Sequence, residues 1–246
     1  MDLVVLFDWD LPLGRCVGVR LACEQSEPAT AVSRAGITLL DQAWAMADDF
    51  PPRRRRSWIA GRAAMRIALA REGTEAPAVG HDDRGAPVLP AGYGGSISHK
   101  EVARPDEVGG SSWERADVVA VALVRRELVA RLGVDVEIDR CPSADIATRI
   151  LRGDEVAAVE GMDPAVRTRE TLLRFSAKEA LYKAIDPYVR RYVGFKEVAV
   201  TPHPDGSADV AWHLEARQGQ GSFESSVLWR SVSGLIVTMA KVWRVR

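Results

Sequence analysis

The chain has 246 residues, room for one large domain or two of roughly 100–150 residues each. With 47% hydrophobic and 27% charged residues it has the composition of a globular chain, which excludes wholesale disorder. A formal net charge of −1 excludes a global field that would draw it to nucleic acid or to a membrane surface.

The N-terminal stretch Met1-Asp2-Leu3-Val4-Val5-Leu6-Phe7-Asp8 lacks a basic leader, and Asp8 interrupts its apolar run. It reads as a strand rather than a signal peptide. Residues 3–7 and 17–22 are predicted strands joined by Pro12-Leu13-Gly14. Cys16, Cys23 and Cys141 are few, odd in number and scattered, which fits neither a disulfide framework nor close-paired zinc ligands. These features predict a cytoplasmic protein.

Residues 35–47 carry apolar side chains at helical spacing. A long helix is predicted from about 54 to 72, with Ile59, Ala63, Ile67 and Ala70 in its stripe and Gly73 as its stop. Its start is crowded with arginine: Arg53, Arg54, Arg55 and Arg56. Arg55, Arg62 and Arg66 share one face. Positive charge at a helix N-terminus opposes the macrodipole, so something must compensate it. A phosphate-rich ligand would do so, because the planar guanidinium fork matches phosphate oxygens. The alternatives are a solvated basic face or a nucleic-acid patch. Only Trp58 supplies a nearby aromatic and no groove-reading motif follows, which argues against nucleic acid.

Residues 76–93 read as extended loop, rich in Gly and Pro. Gly94-Gly95-Ser96-Ile97-Ser98-His99 reads as a glycine-serine turn open to close backbone approach, with Ser98 and His99 as polar donors. Residues 101–116 read as a surface excursion. Residues 117–124 form a continuous apolar strand covered on both faces. The apolar run within it, 118–124, is too short to span a bilayer.

In Gly133-Val134-Asp135-Val136-Glu137, side chains alternate across a strand over 133–138. Val134, Val136 and Ile138 point to the core, and Asp135, Glu137 and Asp139 point away from it. Removing either acid is therefore expected to leave the fold intact. Acids two apart lie roughly 6.5–7 Å from each other along the backbone, a separation suited to one hard cation. A solvated strand face would look the same.

Short helices are predicted at 146–150 and 154–160, and a second long helix at 168–185. Leu173, Ala177, Ala180, Leu181, Ala184 and Ile185 form its buried stripe. It carries Phe175-Ser176-Ala177-Lys178-Glu179-Ala180-Leu181-Tyr182-Lys183, in which Glu179 and Lys183 share a face, as do Lys178 and Tyr182. A solvated Glu–Lys pair is the ordinary reading of that spacing. Strands over 195–200, 208–214, 223–229 and 235–243 close the chain. The order is strands, helix, strand, twice over. It divides the chain into residues 1–126 and 127–246 and defines an α+β protein.

Taken in order, Gly61-Arg62, Gly85-Ala86-Pro87, Ser96-Ile97-Ser98-His99, Gly133-Val134-Asp135-Val136-Glu137 and the Phe175–Lys183 segment resemble the 4'-phosphopantetheinyl transferase family, most closely its broad-specificity surfactin and enterobactin type. The resemblance runs from about Arg53 to Lys183. It implies two similar α/β halves related by a pseudo-twofold, with the ligand in the cleft between them. It implies transfer of the 4'-phosphopantetheine arm of coenzyme A to a serine of an apo acyl or peptidyl carrier protein, releasing adenosine 3',5'-bisphosphate. It further implies magnesium, with manganese as a substitute, on Asp135, Glu137 and Glu179. Arg62, Ser98, His99 and Lys183 fall at coenzyme A-contacting positions, and Arg54 and Arg84 sit beside them. Glu179 is the expected base for the carrier serine, with His99 as its competitor.

Two departures stand out. The 101–116 link is longer than the family's usual one, and Ala86 stands where some members place a lysine, so that one phosphate contact is either missing or supplied by Arg84. A single site within one two-half chain predicts a monomer. The alternative function is a non-catalytic relative that binds coenzyme A or a carrier. A metal-dependent phosphoesterase fits poorly, because His81, His99, His203 and His213 are scattered.

Overall fold

The computed structural model describes residues 3–22, 28–39, 41–74, 79–103, 116–127, 129–139, 146–215 and 221–245. Residues 104–115, most of the expected surface excursion, lie outside them, as do Cys23 and Cys141. The chain divides into two compact units, Met1–Leu128 and Val129–Arg246.

In the first unit, β1 (Leu3–Leu11) and β2 (Gly14–Leu21) form a hairpin. Then come α1 (Pro28–Arg34), α2 (Asp41–Asp48), α3 (Pro52–Arg71), β3 (Tyr93–Val102) and β4 (Asp117–Arg126). The sheet is antiparallel in the order β1-β2-β4-β3. β4 is buried from Asp117 to Val124, as its unbroken apolar run predicts. Helix α3 starts with proline at its first position, where a missing N–H costs nothing. It buries Ile59, Ala63 and Met65 in one cluster with Val17, Val19, Ala120 and Ala122 of the sheet. At Gly61 the helix meets β3 so closely that a Cβ there would lie 2.9 Å from Ile97 Cγ2.

Two expectations change here. Only the second half of the 35–47 pattern is helical, as α2, while residues 35–39 leave α1 through Gly36, whose φ of +72° no helix can continue. The Ser-His segment is not a turn. It lies inside β3 and pairs with β4 along its whole length, Ser98 opposite Val121 and His99 opposite Ala120. Two glycines disguised a strand whose stability comes from its neighbour.

The second unit contains β5 (Arg131–Ile138), α4 (Ile146–Ile150), α5 (Gly153–Glu160), α6 (Pro164–Val189), a 3-10 turn (Phe195–Glu197), β6 (Val198–Pro202), β7 (Ser207–Trp212), β8 (Phe223–Val232) and β9 (Leu235–Arg244). The antiparallel sheet has the order β5-β9-β8-β7-β6. Helix α6 is capped by the Asp163 carboxylate, which accepts from Ala165 N at 2.9 Å. It ends at Arg190 in the left-handed conformation (φ 48°), whose N–H returns to Asp186 O. Ala177, Ala180, Leu181 and Ala184 pack against Val227, Ala240 and Val242.

The strand of acids is not a solvated face. Gly133, Asp135 and Glu137 all lie beneath α6 or are buried: a Cβ on Gly133 would stand 1.8 Å from Ala180 O, Asp135 is 5% exposed and Glu137 8%. Val134 and Val136 are buried on the opposite face. Alternation predicted which residues share a side, but both sides are covered.

Candidate functional site

The basic helix of the first unit finds much of its compensation inside the protein. Arg53 Nε pairs with Glu101 of β3 at 2.5 Å, and Arg55 with Asp48 of α2 at 2.9 Å. Arg56 donates to Ala116 O at 2.9 Å. Arg54 is exposed, its guanidinium 4.4 Å from the Phe50 ring centroid. His99 is exposed on the β3 face that also carries Ile97 and Glu101. Those two side chains meet α3 at Gly61 and Arg53, so His99 lies alongside the first turns of the helix that carries Arg54. Ser98 is buried on the other face of β3. Arg84 is exposed in the turn of residues 82–86.

Arg62 departs from expectation. It is 6% exposed, and its fork donates to Val79 O (Nε, 2.7 Å) and Gly80 O (Nη2, 3.0 Å). Its plane lies 3.4 Å from the centroid of Trp58. Burial lowers its pKa to about 10. Trp58, in the sequence only a lone aromatic beside the arginines, is the centre of this cluster. It touches Arg62, Phe50 (5.2 Å) and the edge of His81 (5.3 Å), and its own Nε1 is buried without a partner. The signal was present: Trp58, Arg62, Met65 and Leu69 recur at helical spacing, which places Arg62 on a buried stripe.

In the second unit, Asp135 is held by Ser176 and Lys183. Ser176 Oγ of α6 donates to Oδ2 at 2.9 Å, and Lys183 Nζ donates to Oδ1 at 2.9 Å and to Val134 O at 2.9 Å. Thr238, opposite Asp135 on β9, lies 2.9 Å from Ser176 Oγ. Since the serine proton goes to the carboxylate, Thr238 is the donor of that pair. Removing Asp135 would therefore strand a lysine and a serine under a helix, contrary to the expectation of an untouched fold. Glu137 follows on the same strand face. Glu179 stands on α6 one turn before Lys183, half-buried, at a small pocket lined also by Tyr182, Tyr192, Phe195 and Trp212.

Among the described residues no three His, Cys, Asp or Glu side chains are gathered closely enough to hold a metal ion. Asp135 is instead neutralised by Lys183. The donor chemistry nonetheless fits a hard divalent cation, being carboxylate only, on facing elements, with a cation beside it to balance excess negative charge.

Lys178 is a buried lysine of α6. It is 1% exposed, and its three N–H groups go to Ile150 O (2.9 Å), Glu155 Oε2 (2.5 Å) and Phe195 O (3.0 Å). Glu155 accepts also from Arg152 N and Val200 N, each at 2.9 Å. This buried pair ties α4, α5, the 3-10 turn and β6 to α6, and burial lowers the Lys178 pKa. Arg152 and Arg191 are likewise engaged: Arg152 with Lys196 O, and Arg191 with both oxygens of Glu197 at 2.8 and 2.6 Å.

Comparison with known proteins identifies the family. Residues 131–240 match the model of the 4'-phosphopantetheinyl transferase superfamily, and residues 45–104 that of the 4'-phosphopantetheinyl transferase N-terminal domain. The chain is 31% identical over 177 residues to 4'-phosphopantetheinyl transferase Npt of Nocardia iowensis, covering 72% of this chain and 68% of that protein. It is 30% identical over 155 residues to 4'-phosphopantetheinyl transferase PptT of Mycobacterium tuberculosis, covering 63% and 61% respectively. Among solved structures, an apo-ACPS from Chronobacterium ammoiniagenes is 18% identical with a TM-score of 0.38, covering 48% of this chain and 98% of that one. The holo-[acyl-carrier-protein] synthase of Thermotoga maritima is 21% identical with a TM-score of 0.38, covering 48% and 66%. The chain belongs to the 4'-phosphopantetheinyl transferase family and is an enzyme of that class.

Proposed function

We propose that this protein transfers the 4'-phosphopantetheine group of coenzyme A to a serine hydroxyl of an apo acyl or peptidyl carrier protein, as the broad-specificity members of its family do. The observation that carries the reading is the set on β5 and α6: Asp135 bonded to Lys183, Glu137 beside it, and Glu179 at the mouth of an apolar pocket.

Asp135, Glu137 and Glu179 would hold magnesium, or manganese in its place. When bound, such an ion neutralises charge on the pyrophosphate and on the leaving oxygen. Lys183 adds a positive charge at the same place, held by Asp135 and Val134 O. Arg54, Arg84, Ser98 and His99 hold the nucleotide and its phosphates. The aromatic pocket of Tyr182, Tyr192, Phe195 and Trp212 beside Glu179 offers an apolar surface to the end of the pantetheine arm nearest the phosphate. The carrier serine oxygen attacks the phosphorus that bears the arm, giving its proton to Glu179 directly or through one water. The new O–P bond forms as the bond to the bridging oxygen breaks, and that oxygen leaves on adenosine 3',5'-bisphosphate. His99 serves as a nucleotide donor rather than the base. The reading places the enzyme in the cytoplasm as a monomer. No helix among the described residues is long and apolar enough to cross a membrane.

The test is mass spectrometry of an apo carrier incubated with the protein, coenzyme A and magnesium. The carrier is expected to gain one phosphopantetheine. A chelator should abolish the gain, and Glu179→Gln should slow it by about 100-fold or more. No gain on any of several carriers, with coenzyme A binding intact, would favour a binding module instead.

A further inference from the structure

Residues 80–88 close on themselves as a small hairpin. Val88 N donates to Gly80 O at 3.3 Å, His81 bridges to Pro87, and Asp82 N donates to Ala86 O at 2.9 Å. Inside it, Asp82 Oδ1 accepts from Arg84 N and Ala86 N, both at 2.9 Å. Gly85 completes the turn with a φ of +86°, open to glycine at little cost. The hairpin is therefore locked from within. Its stem presents His81 and its tip Arg84.

Only the base of this hairpin is fastened by the Arg62 fork, through Val79 O and Gly80 O. The same guanidinium sits over the Trp58 ring, 3.4 Å from its centroid, and the His81 ring meets Trp58 edge-on. Arg62 is thus a bolt running from α3 to the foot of the hairpin. Two adjacent carbonyls and an aromatic face suit a planar fork and do not suit a lysine.

We propose that Arg62 is a positioning residue and not a phosphate ligand: it seats the 80–88 hairpin on α3 and so sets where His81 and Arg84 stand for the nucleotide of coenzyme A. This rests on the coenzyme A reading above.

Three variants separate the seat from the ligand. Arg62→Met removes the bolt, Arg62→Lys keeps the charge but loses the fork, and Asp82→Ala loosens the hairpin without touching Arg62. Coenzyme A affinity is measured by calorimetry, KM and kcat by carrier loading, and amide hydrogen exchange over residues 80–88 by mass spectrometry. All three variants are expected to weaken coenzyme A by about tenfold, to raise its KM more than they lower kcat, and to speed exchange in the hairpin. Rescue by Arg62→Lys to within about twofold of wild type would overturn the proposal, because charge alone would then suffice. So would weakened binding in Arg62→Met with unchanged exchange, or unchanged binding in Asp82→Ala. Wild-type protein that binds no coenzyme A would sink the functional reading along with this one, whereas the other failures would sink this one alone.

Discussion

Three lysine N–H groups and three acceptors meet at Lys178, and none is left for a ligand. A buried ion pair of this kind is weak evidence of stabilisation, because desolvation offsets much of the attraction. Breaking it is another matter, since Glu155 would remain as an uncompensated buried charge. Lys178→Met is expected to lower stability by about 3–5 kcal/mol in urea unfolding, with Lys178→Met/Glu155→Gln recovering part of the loss. A change below about 1 kcal/mol would show that the pair is not structural. Lys178 stands three and seven residues before Leu181 and Ile185, on the buried stripe of α6. Periodicity therefore located it, while the presence of charge suggested a surface role. Its acceptors lie 17 to 28 residues away, and no local pattern announces them. Asp135 tells the complementary story. The strand motif made it a candidate, but only the structure shows Ser176 and Lys183 closing on its two oxygens.

At the level of elements, the contact between β5 and α6 is the one that matters most for chemistry. Gly133 admits the backbone of the helix itself, since an added Cβ would fall 1.8 Å from Ala180 O. Gly133→Ala is expected to lift α6 from β5, costing about 3 kcal/mol or more. Transfer should fall further than stability explains, because Ser176 and Lys183 would leave Asp135. Gly153→Ala makes the control, as its Cβ would meet nothing within 4 Å. Equal melting of the two variants would remove Gly133 from the account. Long helices and the closing strands were legible because their periods are strong over many residues: α3, α6, β8 and β9 fall where 3.6- and 2-residue patterns put them. The Ser-His strand was not, because Gly94 and Gly95 have poor strand propensity and the pairing with β4 spans residues far apart in sequence.

For the molecule as a whole, acid resistance follows from a carboxylate outside the candidate site. Glu197 accepts from both Arg191 Nη groups, from Gly194 N at 2.9 Å and from Glu215 N at 3.0 Å. Arg191 beside it holds its pKa down, from the ordinary 4.5 to about 2. A depressed carboxyl pKa stabilises the fold fully above the unfolded value and loses that contribution as pH falls through the folded one. Glu197→Gln should therefore lower the urea midpoint at pH 6, with the gap to wild type closing as pH falls from about 4.5 towards 2. A gap that is the same at pH 6 and pH 2.5 would contradict this. The sequence showed the class of chemistry through the order of its motifs. It could not show which of its many cations are committed to carbonyls and carboxylates of the protein, because those partners are fixed by tertiary packing.

Gly61 has a mechanical consequence. A glycine in mid-helix costs about 1 kcal/mol relative to alanine, and here it lets α3 rest on Ile97 without an intervening side chain. Such a joint has no rotamer to give way, so it has little slack. A small displacement of α3 is passed to Ile97 and along β3 to its neighbours Ser98 and His99. The bolt at Arg62, the next residue along α3, is driven by the same movement. A ligand that shifts α3 therefore moves the Arg62 bolt and the Ile97 contact together, because both are made by adjacent residues of one helix.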